Sequence, residues 1–79
     1  MDESSWSRLR WRCRRGMLEN DIILARYLDS VGRAMPDADL IALDRLLDLA
    51  DNELWDLLSG RTEVDDDDLQ QLVRRLRNA

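Results

Sequence analysis

Apolar residues recur along this chain at spacings of three and four, the period of one helix face. Trp6, Leu9, Cys13 and Met17 form the first stripe and predict a helix over 5–15, with Ser4 or Ser5 available as its N-cap. Gly16 then interrupts. A glycine inside a helix costs about 0.5–1 kcal/mol relative to alanine, so it marks a helix end or a close backbone approach. A second helix is predicted over 17–31, with Leu18, Ile22, Ala25 and Leu28 on one face, widened by Leu24 and Val31, and with Gly32 closing it. Pro36-Asp37-Ala38-Asp39 opens a third helix over 37–50, whose stripe is Leu40, Leu43, Leu47 and Ala50, flanked by Ile41 and Leu46. Asp51-Asn52-Glu53 starts a fourth over 52–59, filled by Leu54, Trp55, Leu57 and Leu58 and ended by Ser59-Gly60. The fifth, over 65–77, carries Leu69, Leu72, Val73 and Leu76. Its acids stand first and Arg74, Arg75 and Arg77 last, the order that the helix dipole favours.

No stretch alternates at period two for the length of a strand, and every connection is short. The pattern predicts an all-α fold, a compact bundle of five short helices in one domain over 1–79. Seventy-nine residues bury only about 60% of the surface the unfolded chain exposes, which leaves little room for a deep substrate cavity and argues against an enzyme. A single cysteine excludes an internal disulfide and fits a reducing compartment. The longest uninterrupted apolar runs, Ile22-Ile23-Leu24-Ala25 among them, are far short of a membrane span, and the acidic N-terminus lacks the order of a signal peptide. A soluble, cytoplasmic protein is expected. The sequence contains no histidine, which excludes a histidine-based nucleophile pair and any histidine-ligated metal.

Charge changes the picture at one end. Residues 1–15 sum to +3, five arginines against Asp2 and Glu3, whereas residues 16–79 sum to −8, seven arginines against fifteen acids. An acidic domain with a basic, tryptophan-bearing first helix presents that helix to something. Arg8, Arg12 and Arg15 lie off the apolar stripe with Trp11 among them, the composition of a binding hot spot. The same cluster is open to a solvated, internally paired face, to nucleic-acid binding, or to docking on a protein. The overall charge of −5 repels a polyanion and argues against nucleic acid. Arg15 and Glu19 are four apart across Gly16, so on a continuous helical path they would project side by side around a bare backbone patch. Two other features read as structure. The Asp65–Asp68 run lacks calcium-loop spacing and serves as cap and first turn, and Cys13 on the Trp6/Leu9 stripe reads as core.

The string Arg8-x-x-Trp11-x-Cys13-Arg14-Arg15-Gly16-Met17-x-Glu19-x-Asp21 resembles the signature of the succinate dehydrogenase FAD assembly factors, or flavinylation factors, whose hallmark is Arg-Gly-x-x-Glu. Leu46-Leu47-Asp48, then Asp51-x-Glu53-Leu54, Leu57 and Gly60, resembles their third-to-fourth helix segment, so that the resemblance spans nearly the whole chain.

That resemblance implies a five-helix bundle that binds the flavoprotein subunit of succinate dehydrogenase, or of the related fumarate reductase, and promotes covalent attachment of FAD to a histidine of that client. Arg15, Gly16 and Glu19 carry over as the client-contacting motif, and Arg8, Trp11, Arg14 and Asp21 match flanking positions assigned to the same surface. FAD would belong to the client, with none bound stably by this chain, which is expected to be a monomer or weak dimer. The absence of an Arg/Ser-rich transit peptide fits a bacterial member. Some members of that family also carry an antitoxin label. The alternative is therefore an antitoxin-type or nucleic-acid-binding regulator that uses the basic first helix.

Overall fold

Asp2 accepts a hydrogen bond from the Ser5 amide at 2.7 Å and so caps the first helix, a role the sequence offered to Ser4 or Ser5. In the computed structural model, which describes residues 2–79, five helices follow: α1 (Glu3–Arg12), α2 (Leu18–Val31), α3 (Asp37–Leu47), α4 (Asp51–Leu58) and α5 (Asp67–Arg77), with a 3-10 turn at Gly32–Ala34. The predicted all-α class and helix order hold, and no strand occurs among the described residues. The radius of gyration, 11.6 Å, is that of a fully folded chain of this length.

The boundaries move where caps act. Helix α1 stops at Arg12, short of the predicted residue 15, and Cys13 closes it with its amide on the Leu9 carbonyl. Gly32, at φ +60°, ends α2 as expected, because the chain there turns into a region that a side chain disfavours. Pro36 is the N-cap of α3. Ala50, placed by the sequence inside the third helix, is instead the N-cap of α4. It has no side-chain acceptor, so only the Glu53 carboxylate serves this start, accepting from the Ala50 amide at 3.2 Å. Asp66 caps α5 by accepting from the amides of Asp68 and Leu69, with Asp67 and Asp68 in the first turn as the dipole argument requires.

One core joins all five helices. Helix α3 packs on α5, and α2 packs on α4 and α5. The buried side chains include Leu24, Leu43, Leu46, Leu54, Leu72 and Leu76, with Leu9 and Cys13 from α1. Trp6 and Trp55 are half-buried against them. Side-chain ion pairs bind α1 on both flanks, Arg10 to Asp29 of α2 and Arg12 to Asp44 of α3 and to Asp48, which caps that helix.

Helix α2 corrects the sequence reading. Its predicted face included Leu18, Ile22 and Ala25, yet all three are exposed, Leu18 at 67%. The buried face is Asn20, Leu24, Tyr27 and Leu28. The helix has apolar residues on more than one side, so periodicity did not resolve which side faces inward. Asn20 and Tyr27 settle it by finding polar partners inside: the Tyr27 hydroxyl donates to Asp39 at 3.3 Å. Ile41, a predicted flank of α3, is likewise exposed.

Candidate functional site

The break between α1 and α2 is built by two carboxylates. Asp21, in the first turn of α2, accepts from the amide of Arg15 at 2.8 Å and from that of Gly16 at 3.3 Å. These amides would otherwise lack partners at a chain reversal, and such groups rarely stay unpaired. Gly16 sits at φ +92°, where a side chain is strained, and the space its missing Cβ would occupy is open. The bare backbone faces outward.

Arg15 turns the other way, toward the second carboxylate. Its guanidinium crosses to the corner between α3 and α4, where Nε donates to Asp51 Oδ1 at 2.6 Å and the two Nη groups donate to the carbonyls of Leu47 and Leu49. The Leu47 carbonyl ends α3 and the Leu49 carbonyl follows in the turn to α4, so a cation there also meets the negative end of the helix dipole. The planar fork suits three convergent acceptors as an ammonium would not. The Arg15 side chain is only 16% exposed. Beside it Asn20, with no exposed surface, donates from Nδ2 to the Asp51 carbonyl at 3.0 Å and touches the Met17 sulfur. Asp51 is therefore held by its side chain and by its backbone.

The expected picture of Arg15 and Glu19 side by side on a continuous helix is corrected: the helix is broken between them and Arg15 points inward. Glu19 lies exposed in the first turn of α2 and makes no ion pair among the described residues. Trp11 is 76% exposed and lines a shallow depression with Arg14, Ser7 and Arg10. Arg8 lies elsewhere, in an open groove of about 690 Å³ between α1 and α3 with Ile41, Leu40 and Met35. Of the first helix's arginines and the two that follow it, Arg10, Arg12 and Arg15 are paired with acids. Arg8 and Arg14 make no ion pair among the described residues. The structure thus gathers Arg15, Gly16 and Asp21 into one network, leaves Gly16, Glu19, Trp11 and Arg14 outward, and sets Arg8 in a separate groove. Sequence reasoning missed Asn20 and the second role of Asp51. No local signal marked Asn20, which stands between Glu19 and Asp21 in the polar first turn of α2.

Cys13 is core, 4% exposed, and burial pushes its thiol up to about 11 despite the pull of Arg12 and Arg15. It is a poor nucleophile in this setting. No group of acids and cysteine among the described residues is arranged to hold a metal ion.

Comparison with known proteins agrees with the family resemblance. A family described as "Flavinator of succinate dehydrogenase" matches residues 7–79. The FAD assembly factor SdhE of Methylococcus capsulatus is 40% identical over 74 residues, covering 94% of this chain and 89% of that protein. The protein of the same name from Shewanella oneidensis is 35% identical over 77 residues, covering 98% and 94%. That of Ralstonia nicotianae is 51% identical over 57 residues, 72% of this chain and 60% of that protein. No solved structure matches the chain. The antitoxin-type and nucleic-acid alternatives gain no support from these relatives. With the family match running from the first helix to the last residue, the chain belongs to the succinate dehydrogenase flavinator family.

Proposed function

We propose that this protein is a non-enzymatic, cytoplasmic assembly factor that docks on the flavoprotein subunit of succinate dehydrogenase, or of fumarate reductase, and promotes covalent attachment of FAD to a histidine of that client. The observation that carries the reading is family membership joined to an outward-facing Gly16–Glu19 surface. The acceptor histidine belongs to the client, since this sequence has none. The chain contributes positioning: it holds the client's flavin-bearing and acceptor segments together, so that an encounter of two mobile groups becomes a local step.

FAD itself stays with the client. Dinucleotide sites commonly receive the phosphates on free backbone amides at a helix N-terminus. At the α1–α2 loop the Asp21 carboxylate already takes the amides of Arg15 and Gly16, and its charge with that of Glu19 repels an anion. Trp11 and Arg14 extend the docking surface along α1, where the indole offers apolar area and the arginine meets client carboxylates.

The test is in-gel flavin fluorescence of the denatured flavoprotein subunit, produced with this protein, without it, and with Glu19→Ala. Fluorescence that depends on the protein and falls with the variant is expected. Equal fluorescence in all three would remove the assembly role.

A further inference from the structure

We propose that Asp51 and Asn20 are positioning residues for client docking, which act by fixing Arg15 so that the partner meets Gly16 and Glu19 and not the arginine. The inference rests on the docking role proposed above and assigns two residues to it that lie outside the Arg-Gly-x-x-Glu motif.

Arg15 has little to offer a partner. Three of its five guanidinium N–H donors serve one carboxylate and two backbone carbonyls, and the side chain is only 16% exposed. Its value lies in where it pulls the chain. By anchoring residue 15 on the α3–α4 corner it sets the direction in which the next residue leaves, and that residue is Gly16 at φ +92° with open space above it. Asp51 is the charged half of the anchor. Asn20 is the other half: fully buried, it ties α2 to the Asp51 backbone and so fixes the corner relative to the helix that carries Glu19. Asp21 completes the set by holding the amides of Arg15 and Gly16. Four side chains from two helices and a loop thus determine the placement of two outward residues. Gly16 has no side chain, and the Glu19 side chain makes no hydrogen bond or ion pair among the described residues that would place it on its own.

A double-mutant cycle on client affinity separates this from direct contact. Arg15→Ala, Asp51→Ala and the double variant are titrated against the purified flavoprotein subunit at a temperature where circular dichroism shows each folded. Val73→Ala, in the core of α5, serves as a control for lost stability. If Arg15 acts through Asp51, each single change weakens binding about tenfold and the double variant is no more than about twofold worse than the weaker single. Val73→Ala then binds like the wild type. Multiplying losses, wild-type affinity in Asp51→Ala, or an equal loss in Val73→Ala would each overturn the proposal. Should Asp51→Ala not fold, Asp51→Asn keeps the shape without the charge. Its amides at Arg15 and Gly16 are expected to exchange with solvent several-fold faster while α5 stays protected. Unchanged exchange there overturns the proposal as well. Failure of the wild type to bind the flavoprotein at all would instead sink the docking role, and with it the client half of this inference.

Discussion

The Arg15 guanidinium and the Asp51 carboxylate meet at 2.6 Å across 36 residues of chain, joining the loop after α1 to the start of α4. This contact turns a motif arginine from a surface group into a member of the frame. Arg77 acts in the same way at the next helix, donating to the Leu57 carbonyl near the end of α4. The chain thus supplements the local caps of two successive helix ends with arginines from other elements.

Loss of Arg15 should cost more than loss of a surface arginine. Arg15→Ala strands the Leu47 and Leu49 carbonyls and leaves Asp51 unpaired in a half-buried place, which costs about 2–3 kcal/mol. Arg15→Lys recovers only a fraction of this, because a single ammonium does not span three acceptors set for a planar fork. Urea denaturation of the two variants beside Arg8→Ala, whose arginine makes no ion pair among the described residues, checks the ranking. Equal midpoints for Arg15→Ala and Arg8→Ala would mean that the anchor contributes nothing.

Gly16→Ala isolates backbone strain from crowding. No atom lies within 4 Å of the added methyl, so the cost comes only from φ +92°, about 1–2 kcal/mol, or roughly 5–10 °C in Tm. Gly16→Arg adds bulk on the outward side without a core clash, so its Tm should match that of Gly16→Ala while its support of flavinylation falls further. Thermal melts and flavin fluorescence of both variants check this. A much lower Tm for Gly16→Arg would show that its defect lies in folding.

The Cys13 thiol gives a pH signature at the alkaline end. Its pKa rises from an ordinary 9.0 to about 11 on folding, chiefly through burial, so the folded state holds the proton more tightly. Stability is full below pH 9 and falls as the pH rises toward 11, by at most about 1.4 kcal/mol per unit. Tyr27, pushed by burial up to about 12, adds its own loss from pH 10. Urea midpoints at pH 8 and 10 for the wild type and Cys13→Ala test the assignment. The drop should be smaller in the variant, and an equal drop would place the effect elsewhere.

Much of this protein was legible in its residues. Apolar spacing, acids at helix starts and glycines at helix ends gave five helices in the observed order, because these signals act within a few residues of one another. The Arg15-Gly16-x-x-Glu19 motif was equally plain, as was the core role of Cys13. Two things were not. Periodicity placed Leu18, Ile22 and Ala25 inward on α2, since a helix with apolar residues on more than one side gives no local reason to prefer one face. Spacing also set Arg15 beside Glu19 on a continuous path through Gly16, where the chain in fact turns.

By itself, then, the sequence determined the class, the helix order, the family and the outward glutamate, all of which depend on local chemistry or on a contiguous motif. Only the tertiary structure decided that Arg15 faces inward and that Asn20 is buried. The acceptors that decide it, the Leu47 and Leu49 carbonyls and the Asp51 main chain and carboxylate, lie some thirty residues away and converge only once α4 has packed against α2 and α3 against α5. A backbone carbonyl has no letter in a sequence, so an arginine that binds one looks from its neighbours like an arginine free to bind a partner.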